Sequence, residues 1–74
     1  MLKDLLDLET SIDLDEPYGR CRIIFNCYRP WANRFDIEIV GVFDSQDNPV
    51  LWQEISPSLE TDLLDRCRDH VRSL

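Results

Sequence analysis

Glycine is scarce in this 74-residue chain, with Gly19 and Gly41 the two that occur. No glycine-rich loop is therefore available to cradle a phosphate or to build an oxyanion site. Histidine occurs once, at His70, and the three cysteines, Cys21, Cys27 and Cys67, are an odd number that cannot all pair within one chain. No apolar run reaches the length of a membrane span, and Lys3, Asp4, Asp7 and Glu9 interrupt the leucine-rich start, which speaks against a signal peptide. These shortages predict a cytoplasmic, reducing setting and no membrane segment. Lysine is nearly absent too: seven of the eight basic residues are arginine, which favours bidentate pairing over loose solvation.

Acid is plentiful. Fifteen carboxylates against eight basic residues give a net charge of −7, which disfavours generic nucleic-acid binding through phosphate neutralisation. The 43% hydrophobic content is that of a folded core rather than an acidic tail. A chain this short makes one domain, residues 1–74, and buries only about 60–65% of the surface its unfolded form exposes.

The clearest strand signal lies at 35–43. Phe35, Ile37, Ile39 and Phe43 alternate with Asp36 and Glu38, and Val40 and Val42 make the second face apolar, as in a central strand paired on both sides. Residues 20–28 alternate as well, with Cys21, Ile23, Phe25 and Cys27 on one face. A five-residue hairpin loop at 29–33 would pair Tyr28 with Arg34, Cys27 with Phe35, Phe25 with Ile37 and Ile23 with Ile39, keeping one face apolar. Before this hairpin, Leu2, Leu5, Leu6 and Leu8 fit a short helix over residues 2–10, and Pro17-Tyr18-Gly19 marks a turn. After it, residues 44–49 are dense in turn formers and 50–55 read as a third strand, with Phe43 beside Leu51, Ile39 beside Ile55 and Trp52 beside Val42. Ser56 then caps a helix with Pro57 at its first position, and Leu59, Leu63, Leu64, Cys67, Val71 and Leu74 form its apolar stripe. The expectation is an α+β domain in the order α-β-β-β-α, a three-stranded antiparallel meander with the C-terminal helix on one sheet face.

Candidate chemistry is thin. A zinc site gathering the three cysteines with His70 would need Cys21 and Cys27 on one ion, yet those two sit roughly 20 Å apart on one strand, far beyond ligand reach. The cysteines read as small core residues. Asp36 and Glu38 resemble a hydrolase dyad but alternate with core positions, as a solvated or salt-bridged face does. Asp13-x-Asp15 and the run from Asp44 fail as calcium loops because Pro17 and Pro49 stand where an oxygen ligand and a glycine are needed. No catalytic residue, metal or cofactor is expected, and the chain is not expected to be an enzyme.

Two surfaces suggest binding. Tyr28, Arg29, Trp31 and Arg34 bring residue types common in hot spots to one hairpin. Val40, Val42 and Trp52, with Ile24, make an apolar second sheet face, covered by the first helix or used in self-association through that face or a sheet edge. The element order is similar to that of the double-stranded RNA-binding domain, but Ser56, Pro57, Ser58, Glu60 and Asp62 stand where that family carries a lysine-rich helix start. The resemblance therefore implies a layout and no RNA-binding role. The functional expectation is a small acidic accessory or inhibitor protein that binds another protein, with a narrower version in which it occupies the nucleic-acid groove of a basic partner, as some mobile-element proteins do. The alternative is a nucleic-acid or anionic-ligand binder that uses Arg20, Arg22, Arg29 and Arg34 with the hairpin aromatics.

Overall fold

The computed structural model describes residues 5–29 and 34–74; Trp31 lies outside the described residues. Strands β1 (Leu5–Leu14), β2 (Gly19–Tyr28) and β3 (Asp36–Phe43) are followed by a one-turn helix α1 (Trp52–Ile55) and a long helix α2 (Pro57–Arg72). The strands form one open antiparallel sheet in the order β1-β2-β3, so β2 is its centre. Among the described residues no helix is long and apolar enough to cross a membrane.

The core lies between the sheet and α2. Cys21, Ile23, Phe25 and Cys27 of β2 meet Leu59, Leu63, Cys67 and Val71 of α2, with Val42 and Val50 completing the buried set. Every second residue of β2 points at the helix, and every third or fourth residue of α2 points back, which is how the two periods share one core. Burying a side chain such as Leu63 contributes on the order of 1.5–3 kcal/mol. The Ser56 hydroxyl accepts from the Ser58 N–H at 3.2 Å and Pro57 opens the helix. At the far end the Ser73 N–H and hydroxyl both reach the His70 carbonyl.

Four expectations change. The segment read as a first helix is strand β1, whose residues 5–14 pair along their length with β2. Leu6, Leu8, Thr10, Ile12 and Leu14 alternate there with Asp7, Glu9, Ser11 and Asp13, and pairing with β2 overrides the helical tendency of the leucines and Glu9. The resemblance to the double-stranded RNA-binding layout ends with that helix. Secondly, residues 50–55 are not a strand. Val50 donates to the Val42 carbonyl at 2.8 Å and Phe43 bridges Pro49, but the chain then turns into α1. The Glu54 N–H returns to the Leu51 carbonyl at 2.9 Å, so the backbone groups a third strand would need are satisfied locally.

Thirdly, β3 is an edge strand, and its register with β2 lies two residues beyond the expected one: Tyr28 pairs with Asp36, Cys27 with Ile37 and Phe25 with Ile39. An even shift preserves the faces, so Ile37 and Ile39 stay on the core side. Fourthly, a β-bulge interrupts this ladder between Ile24 and Phe25 of β2, leaving Val40 without an opposite residue. The bulge reverses the phase of the strand. Val42 enters the core at 2% exposure, Val40 is 60% exposed, and Phe43 falls on the open face beside Arg22.

Candidate partner-binding face

The sheet face opposite α2 carries no covering element among the described residues. Reading across the strands, Leu5, Tyr28 and Asp36 form one row and Asp7, Asn26 and Glu38 the next. Glu9 and Ile24 follow beside Val40, then Ser11, Arg22 and Phe43, and finally Asp13 with Arg20. Carboxylates thus line both outer strands and arginines the end of the central one.

Arg22 organises the middle of this face. Its guanidinium contacts Glu9 at 3.3 Å and also pairs with Asp47, and its carbon lies 5.8 Å from the centre of the Phe43 ring. The Phe43 ring in turn covers Gly41, where an added Cβ would meet ring carbons at 3.1 and 3.3 Å. Arg20 approaches Asp13 at 3.6 Å and donates to the Ser11 hydroxyl, while Arg29 approaches Asp36 at 3.6 Å. These are exposed pairs, worth about 0–1 kcal/mol each. Asp7 and Glu38 take part in no ion pair among the described residues. Glu38 accepts a long hydrogen bond from the Tyr28 hydroxyl at 3.4 Å, and its charge raises the Tyr28 phenol above its ordinary value.

The candidate residues separate into different places. Tyr28 and Arg29 stand at the end of β2, and Arg34 stands at a bend before β3. Val40 projects from the open face, Val42 is buried against α2, and Trp52, in α1, is half-buried against the core. Val40, Val42 and Trp52 therefore do not form the apolar patch their alternation suggested. Sequence reasoning missed Asp7 and Glu9, which a helical reading spread around a cylinder, and Phe43, which an unbulged strand placed in the core. The signal that finds the bulge is Gly41, since an isolated glycine inside a strand pattern commonly marks one.

All three cysteines are buried and unpaired. Burial raises each thiol above its ordinary value, Cys67 to about 11, so none is a thiolate at neutral pH. His70 packs edge-on against Phe25 with ring centres 6.1 Å apart, and the described residues hold no cluster of three metal ligands.

Two shallow grooves gather charge beyond the sheet face, the second meeting that face at Asp36. One, of about 300 Å³, brings Asp15, Glu16 and Asp62 together where the β1–β2 turn meets the start of α2. The other, of about 260 Å³, is lined by Arg34, Phe35, Asp36, Arg68 and Arg72 near the helix end. Comparison of the chain with protein-family models, with curated proteins and with solved structures finds no match in any of the three.

Proposed function

We propose that this chain is a non-catalytic interaction module that binds a basic protein through the sheet face opposite α2. The observation that carries the proposal is the composition of that face: Asp7 and Glu38, which have no arginine partner among the described residues, flank Asn26 next to exposed Val40 and half-buried Ile24. Protein contacts commonly set apolar residues beside polar, solvent-accessible ones in this way. Each outer strand sets two carboxylates two residues apart, Asp7 and Glu9 on β1 and Asp36 and Glu38 on β3, roughly 7 Å from one to the next, which supports a narrower form in which the face occupies a partner's nucleic-acid groove as an accessory or inhibitor. A cytoplasmic setting belongs to the same proposal, supported by three reduced thiols in the core.

The test is affinity capture from the native cell with the wild-type chain and with two variants. Asp7→Asn with Glu38→Gln and Val40→Ala should lose the captured protein; Asp65→Asn with Asp69→Asn, on the outer helix face, should retain it. Equal capture by both variants refutes the role of the sheet face. Duplex DNA should compete for the captured protein if the narrower form holds.

A second reading, anion binding, draws on the groove where Arg34, Arg68 and Arg72 converge beside Asp36. Among the described residues Arg68 and Arg72 are held only by acids of their own helix, Asp65 at 3.5 Å and Asp69 at 3.9 Å, whereas Arg20, Arg22 and Arg29 are tied to carboxylates of other elements. A gel shift with oligonucleotides at low salt that disappears in Arg68→Ala with Arg72→Ala would favour it.

A further inference from the structure

The hydrogen-bonding direction along β1 follows from the other side of the sheet. The Val50 N–H donates to the Val42 carbonyl, so Val42 turns its backbone groups away from β2 and Phe43 turns its own toward it. Phe43 pairs with Arg22, which must then direct its N–H and C=O at β3. Ser11, opposite Arg22 on the other flank, is consequently left facing outward. Arg66 agrees with this, because its Nε donates to the Ser11 carbonyl at 2.9 Å from across the chain. By alternation, Leu5, Asp7, Glu9 and Asp13 also hold their backbone groups off the edge of the sheet.

The two edges differ. β3 is interrupted by the bulge at Val40 and covered at its end by Val50. β1 is ten residues long and unbulged, and Arg66 blocks it only at Ser11, leaving Leu5 to Glu9 open among the described residues. Such an edge is a template for another strand. Its side chains define what fits. Leu6 and Leu8, on the helix side, are only half-buried, whereas Asp7 and Glu9 are exposed on the other.

Resting on the reading of a basic protein partner, we infer that the partner supplies an extended segment that adds to the sheet as a fourth strand beside residues 5–9. Its apolar side chains alternate with lysine or arginine, the apolar ones covering Leu6 and Leu8 and the basic ones facing Asp7 and Glu9. A second copy of this chain is a poor occupant. Its own β1 would bring Asp7, Glu9 and Asp13 against the same residues, and its β3 would bring Asp36 and Glu38, and like charges directly opposite one another destabilise a strand pair.

The experiment uses a short capped peptide of alternating valine and lysine, with a valine–glutamate peptide as its counterpart. Amide hydrogen exchange and amide chemical shifts are followed by NMR on the whole chain. The valine–lysine peptide should slow exchange at Leu5, Asp7 and Glu9 by about tenfold or more at saturation, and the counterpart should not bind. Asp7→Pro removes an N–H that makes no bond to β2, so it should weaken binding beyond Asp7→Asn, by a further factor of about five. Unchanged exchange at those three amides in the wild-type chain overturns the inference even if Asp7→Pro fails to fold. Shifts confined to Ile24, Val40 and Phe43, with the edge amides unprotected, overturn it while leaving the face reading intact. No binding of the valine–lysine peptide by the folded chain overturns the fourth strand, and the capture experiment with the face variants then decides the broader reading separately.

Discussion

At the scale of single residues, Val40 and Val42 carry the sharpest contrast. They are two positions apart in one strand, yet one is exposed and the other sealed against α2. Val40→Lys should change stability by less than about 1 kcal/mol, the span of strand propensities. Val42→Lys buries an unpaired charge and should unfold a domain whose total stability is on the order of 5–15 kcal/mol. Urea melts of the two variants check this, and similar midpoints would mean the bulge is misplaced. Cys67 makes a second case. Its thiol is raised from an ordinary 9.0 to about 11 by burial, against smaller opposing effects of Arg68 and Arg66. The unfolded chain releases that proton first, so the contribution to stability is complete below pH 9 and is lost as the pH rises through about 11. Cys21, Cys27 and Tyr28 are raised too and act with the same sign. Unfolding followed from pH 8 to 11 should show an alkaline decline that is shallower in Cys67→Ala.

At the scale of elements, the turn from β1 into β2 depends on Gly19, which adopts φ +64° with nothing within 4 Å of an added Cβ. Space is therefore not the constraint there; backbone conformation is. Gly19→Ala should cost about 1–2 kcal/mol, and Gly19→Asn less, as read from thermal melts. A cost that grows with side-chain volume would instead indicate crowding.

How far the elements can be read from the residues differs along the chain. Helix α2 was legible because its cap, its proline and its stripe all agree, and β2 because strict alternation leaves one solution. β1 carries equally strict alternation from Leu6 to Leu14, but adjacent Leu5 and Leu6 suggested a helix, and only pairing with β2 decides between the periods. The end of β3 was misread for another reason. Alternation presumes one residue per step, and a bulge adds a step that no composition rule counts; Gly41 was its one local mark. Among candidate site residues, Tyr28, Arg29 and Val40 were visible as surface features, whereas Asp7 and Glu9 required the strand to be known first.

At the scale of the whole molecule, charge is segregated along a body of 42 × 23 × 19 Å. Asp15, Glu16 and Asp62 gather at one groove, and Arg34, Arg68 and Arg72 at another by the opposite end of α2. The acidic excess still dominates, at −7 overall. Association with a basic partner should thus be fast and strongly dependent on salt. Raising the ionic strength from about 0.05 to 0.5 M should slow association at least tenfold with a smaller effect on dissociation, measured by stopped-flow or surface-based kinetics. A salt-independent association rate would point to the apolar residues of the face as the dominant attraction.

The bulge at Val40 has one more consequence, for the lengths of chain this sheet can tolerate. Removing a residue elsewhere in β2 or β3 would exchange the inner and outer side chains of everything beyond it. Removing Val40 would not, because Ile39 would still lie opposite Phe25, Gly41 opposite Ile24 and Val42 opposite Ile23. The position is a natural seam in the sheet, where the chain can lose a residue, and with it an exposed side chain, while the inner and outer faces keep their order.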